Sequence, residues 1–138
     1  MSERKEQARV MLREFKGDRY IFGLGCFDRL GELTAPRGKK AALVMDGLGQ
    51  DWSAPLLERT KKSLDAAGVE LAGDVIAGAA PNAPREDVFR IAGAIAEQSP
   101  EVVVVAGGGS GIDAVKCAVA WMTLNDTYSD LDEYFGVG

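Results

Sequence analysis

The chain has 138 residues, with 16 lysines and arginines against 21 aspartates and glutamates and no histidine. That length fits one domain able to bury a core without disulfide or metal staples, and a net charge of −5 argues against a duplex-binding face. The missing imidazole excludes a Ser-His-Asp triad, a Cys-His dyad and any His-ligated metal within the chain.

Residues 3 to 15 have Ala8, Met11, Leu12 and Phe15 at helical spacing and are expected to form a short amphipathic helix. Their density of charge leaves no room for a signal-peptide core, and no window approaches the apolar length of a membrane span. A cytoplasmic, membrane-free protein is the expectation, with Cys26 and Cys117 as reduced thiols that read as small buried hydrophobes, and no CxxC pair. Tyr20-Ile21-Phe22-Gly23-Leu24-Gly25 reads as a short strand breaking into a glycine turn. Ala41 to Met45 is a continuous apolar run, typical of a strand buried on both faces of a parallel sheet, and it ends at Asp46-Gly47.

Ser53 and Pro55 open a helix with Leu57, Leu64 and Ala67 on one face, and Gly68 stops it. Val69 to Ala77 reads as a second strand of the sheet, followed by the loop Gly78 to Pro84. Val88, Ile91, Ala92 and Ile95 predict a helix over 85–98. Val102 to Ala106 is the clearest strand, and a helix is expected from about Gly111 to Leu124. Trp52 and Trp121 read as core or helix-packing residues. The tail from Asn125 is acidic, then aromatic, and reads as a solvated helix face. Alternating strands and helices imply a Rossmann-like α/β fold, a parallel sheet with helices on both faces.

Chemistry concentrates where the valine strand ends. Gly107-Gly108-Gly109-Ser110 turns the chain into a helix. Open α/β sheets bind ligands at the carboxyl ends of their strands. Bare glycines admit a phosphate close to the backbone, and a helix start offers free N–H groups and partial positive charge. A capping box, Ser110-x-x-Asp113, is the competing structural reading. Asp46 ends a neighbouring strand, where a carboxylate accepts both hydroxyls of an adenosine ribose and repels a 2′-phosphate, favouring NAD over NADP; an ordinary Asp-Gly turn explains it equally. Pro81-Asn82-Ala83-Pro84 reads as a rigid turn leading into a helix. Lys116 is placed to reach a phosphate or to pair with Asp113.

These motifs, in this order, resemble the amino-terminal domain of the iron-containing (group III) alcohol dehydrogenases over about Phe15 to Leu124. Gly107-Gly108-Gly109-Ser110-x-x-Asp113-x-x-Lys116 is similar to the family's G-G-G-S-P-x-D-A-A-K signature, with Gly111 in place of the proline. Tyr20 to Gly25 resembles its first strand, Leu43-Val44-Met45-Asp46 the strand ending in its ribose-binding acid, and Pro81-Asn82 the start of its P-N-P-T loop.

The resemblance implies a dinucleotide-binding α/β domain over 15–138 behind a 1–14 extension, with cofactor contacts from Asp46, Asn82, Gly107, Gly108, Gly109, Ser110 and Asp113. It implies NAD as cofactor, NADP being disfavoured by Asp46, and a small alcohol or aldehyde as substrate of hydride transfer in the intact protein. The divalent metal, iron or zinc, belongs to a helical second domain, so no residue here is expected to bind metal or transfer hydride. A truncated dehydrogenase, forming a homo-oligomer through surface that the second domain would cover, is the leading expectation. The alternatives are a stand-alone nucleotide-binding or assembly module without catalysis, and an α/β phosphate binder unrelated to redox.

Overall fold

The computed structural model describes residues 3–124. Its centre is β1 (Lys40–Met45), in which Ala41 to Met45 are all buried. One edge of β1 pairs in parallel along its length with β4 (Val102–Ala106), from Ala41 beside Val102 to Met45 beside Ala106. The other edge pairs with two short parallel pieces, β2 (Glu70–Leu71) at its start and β3 (Ile76–Ala77) at its end. The carbonyl directions show the division: Lys39, Ala41 and Met45 accept from the β2–β3 side, Lys40 from the β4 side.

The second strand expected over Val69 to Ala77 is therefore interrupted. At the gap the Gln98 side-chain amide donates to the Asp74 carbonyl at 2.8 Å. A methyl at Gly73 would stand 2.9 Å from the Gln98 side chain. A helix-end side chain holds the chain at this gap.

Helices cover both faces, as the alternation of apolar runs requires. Ala42 and Val44 face α4 (Arg85–Gln98) and α5 (Gly109–Leu124), where Ile91, Ile95, Ala114 and Ala118 complete a buried cluster. Ala41 and Leu43 face the other way, toward Leu64 of α3 (Ala54–Ala66), with Val69 and Val104. A short helix, α2 (Leu30–Thr34), packs against α3. The sequence pattern does not announce it, because its contact rests on a glycine: the Gly31 N–H donates to Ser63 Oγ at 2.9 Å, and a Cβ at Gly31 would lie 2.0 Å from the Ser63 carbonyl oxygen.

One expectation holds at the amino-terminal end and one fails. The helix α1 (Glu3–Lys16) forms but buries none of its residues. Tyr20 to Gly25 is not a strand. Both edges of β1 are taken, and positive φ at Gly23 (146°) and Gly25 (74°) turns the chain into a 3-10 turn over Cys26–Arg29. Trp52 is also no core residue: it is 63% exposed, its ring lying over Gly47. Trp121 does pack, edge-on to Phe89 at 5.5 Å. The acidic tail lies outside the described residues. Among the described residues, no helix is long and apolar enough to cross a membrane.

Candidate functional site

The carboxyl ends of β1, β3 and β4 meet, with Met45 beside both Ala77 and Ala106. The next residue on each strand is then Asp46, Gly78 and Gly107. Into this junction the Asp46 side chain folds. Its Oδ2 accepts the Gly108 N–H at 2.9 Å. A methyl on Gly78 would come within 1.9 Å of the carboxylate, one on Gly107 within 2.3 Å, and one on Gly111 within 2.2 Å. Three glycines from two parts of the chain thus supply the room that one carboxylate occupies. Its other oxygen, Oδ1, is buried without a hydrogen-bond partner.

Part of the glycine-rich turn therefore serves the protein itself, and part remains open. A Cβ on Gly109 would meet nothing within 4 Å, and one on Gly108 only Asp46 Oδ2 at 4.0 Å. Helix α5 begins here. Its first backbone bond from the preceding turn is Ile112 N–H to Gly108 O, at 3.0 Å. The N–H groups of Gly109, Ser110 and Gly111 precede that bond and have no acceptor among the described residues. They lie at the positive end of a 16-residue helix.

The loop after β3 is tied to the same helix start. The Asn82 N–H donates to Ser110 Oγ at 3.0 Å, with Asn82 and Ala83 both left-handed at φ 68° and 50°. The capping box does not form. The helix starts at Gly109, which puts Ser110 inside the first turn with its hydroxyl engaged by Asn82. Asp113 is exposed and its Oδ1 lies 3.7 Å from Lys116 Nζ, one of the two readings its spacing allowed. The structure thus brings Asp46, Asn82, Gly107, Gly108, Gly109 and Ser110 to one edge of the sheet, with Asp113 one helical turn away.

Sequence reasoning missed a clamp behind this loop. Arg90 donates to the carbonyls of Ala77 at 2.9 Å and Gly78 at 2.7 Å, and pairs with Asp87 at 2.8 Å. Asp87 in turn accepts the Ala80 N–H at 2.8 Å. The Ala80 amide, and then Arg90, hold the Asp87 carboxyl below its ordinary range. An acid and a base three residues apart near a helix start were the available signal. Both cysteines are free. Cys117 is partly buried, and burial, then Asp113, push its thiol up, away from nucleophilic character. Among the described residues no three of His, Cys, Asp and Glu converge on a point that could hold a metal. These residues do not fit a divalent ion.

Comparisons with known proteins bear on the family. The family model of the iron-containing alcohol dehydrogenases matches residues 17–137. An NADPH-dependent butanol dehydrogenase of Clostridium saccharobutylicum is 31% identical over 117 residues, 84% of this chain and 29% of that protein. A solved structure of a histidine-to-alanine mutant of an archaeal, halo-thermophilic Red Sea brine pool alcohol dehydrogenase superposes with a TM-score of 0.63 at 31% identity, covering 74% of this chain and 25% of that one. The chain thus spans less than a third of the length of these relatives.

Proposed function

Because the chain belongs to the iron-containing alcohol dehydrogenase family, we propose that its open helix start seats the diphosphate of a nicotinamide dinucleotide. The observation that carries this reading is the set of unpaired N–H groups on Gly109, Ser110 and Gly111, beside a turn whose outer face holds no side chain. Residues 15–138 are on this reading the dinucleotide-binding unit of a cytoplasmic alcohol/aldehyde oxidoreductase, and 1–14 an extension. Asn82 fixes Ser110 from behind, and Asp113 orients that loop or contacts the cofactor.

Asp46 is the candidate for the adenosine ribose hydroxyls, with NAD preferred because a 2′-phosphate would meet its charge. The butanol dehydrogenase named above is NADPH-dependent, so cofactor choice is a point on which the two proteins would differ. Hydride transfer to and from the nicotinamide is chemistry the cofactor supplies. No residue described here is assigned to that step, and none to a metal.

Calorimetric titration with NAD and NADP tests the reading. Gly108→Val leaves the fold intact, because its Cβ meets only Asp46 Oδ2 at 4.0 Å, and should abolish NAD binding by blocking backbone approach. A folded variant that binds NAD normally refutes the seat. Asp46→Gly should weaken NAD and relax rejection of NADP. Self-association belongs to the same reading: Phe15, Phe22 and Leu24 are 80%, 76% and 107% exposed. Sedimentation of a clean monomer at high concentration would remove it.

A further inference from the structure

A carboxylate at the mouth of an anion site requires explanation. The start of α5 offers its amides to a negatively charged ligand, yet the nearest of them, Gly108 N–H, already points at Asp46 Oδ2 at 2.9 Å. This is an internal anion at the helix start, held in a space that Gly78, Gly107 and Gly111 keep clear.

The resting position is not the carboxylate's best one. Oδ1 is buried and has no donor, and a buried acceptor without a partner carries a desolvation cost that one good hydrogen bond on the other oxygen does not remove. A ligand that brings hydroxyl donors to Asp46 and an acceptor to Gly108 would satisfy both groups in one exchange. A ligand that brings only negative charge would face the carboxylate at short range with nothing offered in return.

We propose that Asp46 is a specificity-determining residue of the seat. Its carboxylate occupies the Gly108 amide at rest and shuts out inorganic phosphates, and it yields to a nucleoside-linked diphosphate, whose ribose hydroxyls take the carboxylate as the diphosphate takes the amide. This rests on the diphosphate reading above. It assigns Asp46 a discrimination separate from that between NAD and NADP, one that works by repelling the wrong ligand as much as by binding the right one.

The test is calorimetric titration of the full chain with NAD and with inorganic pyrophosphate, for the wild type and for Asp46→Asn. The amide keeps an oxygen able to accept from Gly108 and removes the charge. Pyrophosphate should bind Asp46→Asn about tenfold tighter than the wild type, while NAD gains nothing, so that the preference for the dinucleotide collapses. NAD binding to the wild type with no gain in pyrophosphate affinity in the variant overturns the proposal and leaves the diphosphate seat standing. Failure of NAD to bind the wild type overturns both.

A measurement on the wild type alone guards against a variant that does not fold. The side-chain carboxyl carbon of Asp46 and the Gly108 amide should shift together in NMR spectra as NAD saturates. A carboxyl resonance that stays fixed while NAD binds also overturns the exchange.

Discussion

Gly111→Ala should destabilise the protein although alanine is the better helix former. In a helix interior the exchange favours alanine by about 0.5–1 kcal/mol, and Gly111 has no positive φ to forbid a side chain. Against this, the new methyl would stand 2.2 Å from Asp46 Oδ1 and 2.5 Å from Oδ2. The carboxylate has little room to retreat inward, because the Gly78 and Gly107 backbones flank it. It must swing outward and release Gly108 N–H. A hydrogen bond to a charged group contributes about 1.5–3 kcal/mol, so the net effect should be a loss of about 1–2 kcal/mol.

In an Asp46→Ala background the obstacle is gone, and the same substitution should stabilise by about 0.5–1 kcal/mol. The sign reversal is the content of the prediction: a coupling of about 2–3 kcal/mol between two residues 65 positions apart in the chain. Urea unfolding followed by far-UV circular dichroism on the four proteins of the cycle measures it. Gly109→Ala, whose Cβ would meet nothing, is the control and should be close to neutral. Gly111→Ala as stable as the wild type, or an equal shift in both backgrounds, would refute the packing of Asp46 among the glycines.

Three further outcomes follow from the same structure. Gly31→Ala should cost about 3 kcal/mol in urea unfolding, because its methyl meets the Ser63 backbone oxygen at 2.0 Å, an atom that cannot rotate away. Ile91→Ala, at a side chain with no exposed surface, should cost about 3–4 kcal/mol by the same assay. Asp87 titrates below its ordinary value of 3.8 in the folded state. Its contribution to stability is therefore present above that value and is lost as pH falls through the folded pKa. Wild-type stability measured from about pH 5 downward should fall more steeply than that of Asp87→Asn, and parallel curves would contradict the Ala80–Asp87–Arg90 clamp.

What the sequence makes legible is what depends on a single stretch of chain. Val102 to Ala106 and Ala41 to Met45 are apolar without alternation, and both are strands buried in a parallel sheet. The spacing of Val88, Ile91, Ala92 and Ile95 gives α4 its bounds, Arg85–Gln98. What fails depends on a partner. Tyr20 to Gly25 has the residues of a strand but no free edge of β1 beside which to lie. Val69 to Ala77 has its edge but pairs with it only at its two ends, its middle bonding the Gln98 side chain instead.

The site divides along the same line. Gly107 to Ser110 announces a helix start with open amides, which one local motif specifies. Asp46 is different, because its surroundings come from two stretches distant from it in the chain. Gly78 follows β3, while Gly107 and Gly111 follow β4 at the start of α5, so no local pattern ties them to a carboxylate at the end of β1. In the resembling family signature a proline stands where this chain has Gly111, and from sequence alone that departure looks tolerable. The structure gives it a cause. A proline carries a Cβ where Asp46 Oδ1 lies 2.2 Å away, so the tucked carboxylate and a proline at this position exclude one another. The glycine that weakens the match to the signature is the residue that lets Asp46 lie where it does.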